Sequence, residues 1–275
     1  MVELTKVYET DESVISSIKT LENGACVMMN DEENTIKKFI LRDGICEFVK
    51  IFEGDILYLT VTKEGNILAS DGVSEVIYNI TESGKERFKS SASPKKARGI
   101  HTLGDQSLCV GFVDFENLEV GIAIIDMKSD QYQEFAITPA DSIPEKITSN
   151  MNGNICVIQS ESTSTWKGII VSYEISPSLG QVNWRYEGNA HINELRDFAP
   201  SDIAISHASL VLIVDSSSNI IHVLSSNGCF LTFIGEGEGI YSPRSLNVDN
   251  EGRLQIGSDE TKDEFAKIYI AKFIT

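Results

Sequence analysis

Apolar residues along this chain alternate with polar ones far more often than they follow the period of a helix. Six times an aliphatic residue is followed, six positions later, by a small or turn-forming residue and then by another apolar run. The pairs are Ile18–Gly24, Leu59–Gly65, Ile100–Gln106, Ile147–Gly153, Ile203–Ser209 and Leu246–Gly252. Four of the second members are glycine, which enters a tight hairpin at positive φ without steric cost. The units read SIKTLENGACVMMND, YLTVTKEGNILASD, GIHTLGDQSLCVGF, KITSNMNGNICVIQS, DIAISHASLVLIVDS and SLNVDNEGRLQIGSD. Each continues through a polar loop into a third alternating run, such as TIKKFIL or IIHVLS, and a fourth, such as ICEFVKIF or CFLTFIG. Alternation of this length predicts strands. Four short antiparallel strands, six times over, predict an all-β, six-bladed propeller. Its blades are expected at 14–54, 55–93, 94–141, 142–197, 198–240 and 241–275, within one domain.

The sixth unit has only three strands. The orphan segment Leu4–Glu9 resembles the fourth strand of the first unit, Phe48–Glu53. It is expected to pair antiparallel with Ala266–Phe273, closing the last blade and covering an exposed edge.

Units five and six carry a further pattern. APSDIAISHASLVLIVDSSSNIIHVLSSNGCFLTFIGEGEG and YSPRSLNVDNEGRLQIGSD each run from a proline through an apolar strand and a turn. A second apolar strand then closes near an Asp, before a polar loop. In this the chain resembles the NHL-repeat propeller, most clearly the one that ends TRIM-NHL proteins. The resemblance implies a recognition module. Some members bind proteins, and others bind RNA on a basic face. It also implies a parent ubiquitin ligase acting through a RING segment that is not among these residues.

Charge favours the protein-binding branch. The formal net charge is −18, from 23 basic and 41 acidic residues. That field repels nucleic acid phosphates and anionic lipid. RNA is therefore not expected as a partner, and an RNA-binding propeller is the alternative. No apolar run is long enough to cross a bilayer, and the first ten residues contain no secretory signal, so a cytoplasmic protein is expected. Five cysteines, singly spaced, read as reduced thiols, with Cys109 and Cys156 in apolar strands.

Candidate chemistry is sparse. There is no G-x-S-x-G and no H-E-x-x-H, and the four histidines are scattered. Gly235–Gly239 reads as a flexible connection between blades. A calcium-dependent lactonase, the second alternative, needs oxygen ligands at the channel mouth, where Arg98, Lys146 and Arg244 would repel a metal. No catalytic site, cofactor or metal is expected. A protein or peptide partner is expected instead, docking where inner strands begin, at Tyr58, Arg98, Lys146, Asp202 and Arg244. Trp166 in the blade-four loop is a further anchor, since aromatics and Arg dominate interface hot spots. Lys85, Arg87, Lys89, Lys95 and Lys96 form a candidate anion patch. Asp31, Asp71, Asp215 and Asp259, which close second strands, read as turn residues. Oligomers are expected only through segments outside this chain.

Overall fold

The computed structural model describes residues 2–42, 45–90, 95–104, 106–129, 131–150, 153–161, 167–176, 178–261 and 264–274. Strand β1 (Val2–Glu9) is followed by β2 (Ser17–Thr20), β3 (Cys26–Asn30), β4 (Thr35–Arg42) and β5 (Ile45–Glu53) of blade one. Blade two holds β6 (Tyr58–Val61), β7 (Ile67–Ser70), β8 (Val76–Thr81) and β9 (Gly84–Ser90). Blade three holds β10 (Lys96–Leu103), β11 (Ser107–Asp114), β12 (Glu119–Asp126) and β13 (Tyr132–Ala136). Blade four holds β14 (Ile143–Ser149), β15 (Ile155–Ser160), β16 (Gly168–Tyr173) and β17 (Val182–Tyr186). Blade five holds β18 (Pro200–Ile205), β19 (Val211–Asp215), β20 (Ile220–Leu224) and β21 (Phe230–Ile234). A 3₁₀ turn, Glu236–Glu238, leads into blade six, with β22 (Pro243–Val248), β23 (Leu254–Ser258) and β24 (Lys267–Phe273). All six sheets are four-stranded, and the fold is a six-bladed β-propeller.

Closure follows the sequence reading. The last sheet runs β1-β24-β23-β22, with Val2 opposite Phe273 and Glu9 opposite Lys267 in antiparallel register. The hairpin glycines behave as their spacing requires: Gly24, Gly65, Gly153 and Gly252 all have φ between 77° and 86°. Blade three departs from the pattern. Its positive φ sits at Gly104, two residues before Gln106.

The chain divides into two compact units, Met1–Asp55 with Asn189–Thr275, and Ile56–Gly188. The first carries blades five, six and one. Its core packs Leu212, Val214 and Ile221 against Leu246, Leu254 and Ile256. A second cluster joins Ile15, Ile18 and Met28 to Ile268 and Ile270. The other unit carries blades two, three and four. Tyr58, Leu68 and Ile77 pack there on Leu108 and Val110, and Cys109 and Ile122 pack on Ile147, Val157 and Tyr173. Cys109 and Cys156 are buried in this core as free thiols, and burial pushes the Cys156 thiol up to about 12. Neither is a nucleophile in that state.

Candidate functional site

The inner strands of blades three to six share a device at their entrances. The register slips between Ala97 and Ile100, Pro144 and Lys146, Pro200 and Asp202, and Pro243 and Ser245. A bulge at this place turns a side chain out of the ladder. It does so for Arg98, Glu145, Ser201 and Arg244, all of which lie beside or among the residues expected at a docking face.

The bulges of blades three and four bring Arg98 and Lys146 to Tyr58 of blade two, around Glu145, a residue the sequence reading had not selected. The Tyr58 hydroxyl donates to Glu145 Oε2, and Arg98 Nη2 donates to Oε1 at 2.7 Å. Arg98 Nη1 donates to the Gly72 carbonyl at 3.2 Å. The Arg98 guanidinium and the Lys146 ammonium lie 5.6 and 5.9 Å from the Tyr58 ring centroid, within cation–π range. Burial alone would lower the Arg98 pKa, but Tyr58 and Glu145 outweigh it and raise it. Gly99 permits the approach, because a Cβ there would meet the Glu145 carbonyl oxygen at 2.7 Å. This cluster is turned inward: Tyr58 is only 6% exposed. Its hydroxyl and ring are spent on neighbours, so little of it is left for a partner.

The same correction applies to Asp202, which is 2% exposed. Its oxygens accept from the backbone N–H of Ile203 and Leu246 at 2.9 and 2.8 Å, tying blade five to blade six. Arg244 stays partly open, with Nε 3.8 Å from Asp259 Oδ1. Trp166 lies outside the described residues, as does the Lys89 side chain.

Among the described residues the other basic side chains are engaged separately. Lys95 is buried, with Nζ 2.7 Å from Glu134 Oε1, 3.6 Å from Glu119 Oε2 and over the Phe112 ring. Lys85 and Lys96 lie over Tyr78 and Phe115, and Arg87 is exposed on β9. Asp71 caps a turn by accepting from the N–H groups of Val73 and Ser74, and Asp114 does the same for Glu116 and Asn117. Among the described residues no three His, Cys, Asp or Glu side chains converge as a metal would need.

A surface that sequence reading missed lies in blades five and six. A cleft of about 910 Å³ opens there, lined by residues of β1, β21, β23 and β24 and by the 3₁₀ turn. Val7, Phe233, Tyr241 and Phe265 line it with 43%, 50%, 49% and 59% of their surface exposed. Among the described residues its lining also carries Glu9, Glu236, Asp259 and Glu264 against one ammonium, Lys267. Lys267 Nζ lies 2.6 Å from Glu264 and 3.3 Å from Glu9. Gly239, at φ 79°, ends the 3₁₀ turn in the left-handed region and so lets Ile240 turn inward beneath the cleft. The signal was scattered over some 260 residues of sequence, from Val7 to Lys267, and no local pattern marks it.

No family model matches the chain, and no curated protein sequence matches it. Solved structures match in fold. Luciferin-regenerating enzyme is similar with a TM-score of 0.68 at 10% identity, covering 98% of this chain and 95% of that one. A putative gluconolactonase is similar with a TM-score of 0.66 at 12% identity, covering 96% and 92%. A catalytically inactive virginiamycin B lyase from Staphylococcus aureus, solved with quinupristin, is similar with a TM-score of 0.59 at 14% identity over all of both chains. At such identity the likeness is one of fold. It corrects the expectation that this chain is not an enzyme. That expectation rested on missing motifs, and proteins named as enzymes share this propeller with almost no sequence in common. Among the described residues no helix is long and apolar enough to cross a membrane.

Proposed function

We propose that this chain is a recognition propeller whose partner is a protein segment, seated in the cleft of blades five and six. The observation that carries the reading is the group of half-exposed side chains Val7, Phe233, Tyr241 and Phe265 along one cleft. Single exposed apolar residues are ordinary, whereas a contiguous set in a concave surface marks a docking site. Aromatic residues give large contact area with little entropy to lose, and so anchor protein interfaces. The resemblance of blades five and six to NHL repeats agrees with recognition as the role.

A library of displayed random peptides, panned on the protein and on the double variant Phe233→Ser, Phe265→Ser, tests this. Both side chains are exposed, so the variant should melt with the parent. Peptides selected by the parent should bind the variant at least about 10-fold more weakly, the scale of one anchor residue. Equal binding to both would place recognition elsewhere.

A further inference from the structure

The cleft has a chemistry that narrows its occupant. Resting on the docking reading above, we propose that the segment it takes is basic and apolar together: lysine or arginine flanked by aromatic or aliphatic residues.

The apolar and the acidic side chains of the lining ask for different things. Tyr241 and Phe265 offer half-exposed rings and Val7 an aliphatic surface, which want apolar side chains. Among the described residues four carboxylates line the cleft with them, against a single ammonium. Lys267 is engaged by Glu9 and Glu264. Glu236 stands exposed on the 3₁₀ turn, and Asp259 faces Arg244 only at 3.8 Å. The rim therefore keeps a net negative charge after its internal pairing. An ammonium or guanidinium entering it meets carboxylates and aromatic rings in one cleft, and both attract a cation. An acidic segment would meet repulsion at the rim and from the whole chain, whose net charge is −18. Charge of that sign steers a basic partner toward the protein and turns acidic ones away. Lys267 has a second effect. By holding Glu9 and Glu264 it fixes the wall on the β1–β24 side, leaving Glu236 and Asp259 to select.

The probe is an eight-residue peptide alternating lysine with leucine and tryptophan, beside its counterpart with glutamine for lysine. Binding to the whole chain is measured by calorimetry at low and high salt. The lysine peptide should bind about 10-fold more tightly than the glutamine peptide at low salt, with the advantage shrinking as salt screens the rim. The variant Glu236→Gln, Asp259→Asn should lose most of that advantage and bind the glutamine peptide within about 2-fold of the parent. If both peptides bind the parent equally, while Phe233→Ser, Phe265→Ser still abolishes binding, the charge selection is wrong and the docking reading stands. If the lysine peptide binds the aromatic double variant as well as the parent, the attraction is diffuse charge, and both are wrong.

Discussion

Asp215 and Asp259 sit in the same stretch of pattern, LIVDSS in blade five and QIGSDE in blade six, yet they do opposite things. The register explains it. Pro200 pairs with Asp215, but Pro243 pairs with Ser258. The Ser216 N–H reaches the Ala199 carbonyl just as the Asp259 N–H reaches that of Ser242, both at 3.0 Å. Asp259 is thus the counterpart of Ser216, and Ser258 of Asp215. One step along a strand turns a side chain to the other face. Asp215 points in and is fully buried. It accepts from Asn193 Nδ2 at 2.7 Å and the Ala199 N–H at 3.1 Å, with His222 Nε2 3.4 Å away. Asp259 points out to the rim of the cleft. Burial would raise the pKa of either carboxyl. At Asp215 the His222 imidazole beside it, with hydrogen bonds from Asn193 and Ala199, outweighs it and holds the carboxyl well below the usual range. At Asp259 burial prevails: Arg244 opposes it, while Asp31 and Glu32 add to it. The partners, rather than the depth, decide the sign.

The largest expected effect comes from removing the buried member. Asp215→Ala leaves the Ala199 N–H and Asn193 without their acceptor and His222 without its neighbouring carboxylate, and should cost about 3–5 kcal/mol in urea unfolding. Because the folded pKa is depressed, this contribution is full above the usual carboxylate range and is lost as pH falls through the folded value. The variant should therefore lose less stability on acidification than the parent. A loss under about 1 kcal/mol would mean that the network does not hold the carboxylate.

A smaller effect should follow from forcing blade six into the pattern of blade five. The exchange Ser258→Asp, Asp259→Ser puts a carboxylate where Ser258 Oγ now accepts from the Lys267 N–H at 2.8 Å. Tyr269 stands there in the place that His222 holds in blade five, since each faces the matching isoleucine, Ile256 or Ile213. With no imidazole to meet it, the new carboxylate should cost about 2 kcal/mol. Adding Tyr269→His should return part of that loss. If it returns none, the contrast owes nothing to the third strand.

The smallest effect is at Asp259 itself. Its folded pKa is raised, so its contribution to stability is fullest at low pH and is lost as pH rises through that value. Asp259→Asn should leave stability unchanged or raise it by about 0.3 kcal/mol near neutrality, since solvent screens a half-exposed group. Any gain should vanish at acid pH. A clear loss at neutrality in thermal melts would show that the Arg244 contact outweighs burial.

These contrasts also mark how far the sequence could be read. The blades were legible because each rests on a local rule: alternation within a strand, and a left-handed residue such as Gly252 between two strands. Closure by Leu4–Glu9 was legible for the same reason, as one unit lacked one strand. The site was less so. Tyr58, Arg98 and Lys146 were expected near one another and do gather, but their burial depends on Glu145, whose place in a bulge alternation does not reveal. Asp202 follows a proline into a strand, and only the register shows both its oxygens taken by backbone. The cleft was not legible at all. Its walls come from β1, β21, β23 and β24, and the GEGEG stretch between blades contributes a structured 3₁₀ turn where a flexible link was expected.

The pairing of β1 with β24 also has a consequence in time. Thr5 Oγ1 donates to the Ile270 carbonyl at 2.9 Å across 265 positions of sequence. Every other blade can form from strands made one after another, whereas blade six needs the two ends of this sequence. A ribosome adding about 5–20 residues per second makes β1 wait roughly 13–50 s for its partner. During that wait the strand offers an open edge to other strands. The cleft includes Val7 and Glu9 from β1, so it comes into being only when this last and most distant pairing is made. A ligand of the cleft would therefore bind closed propellers and pass over open ones, which makes recognition itself a report that the two strands have met.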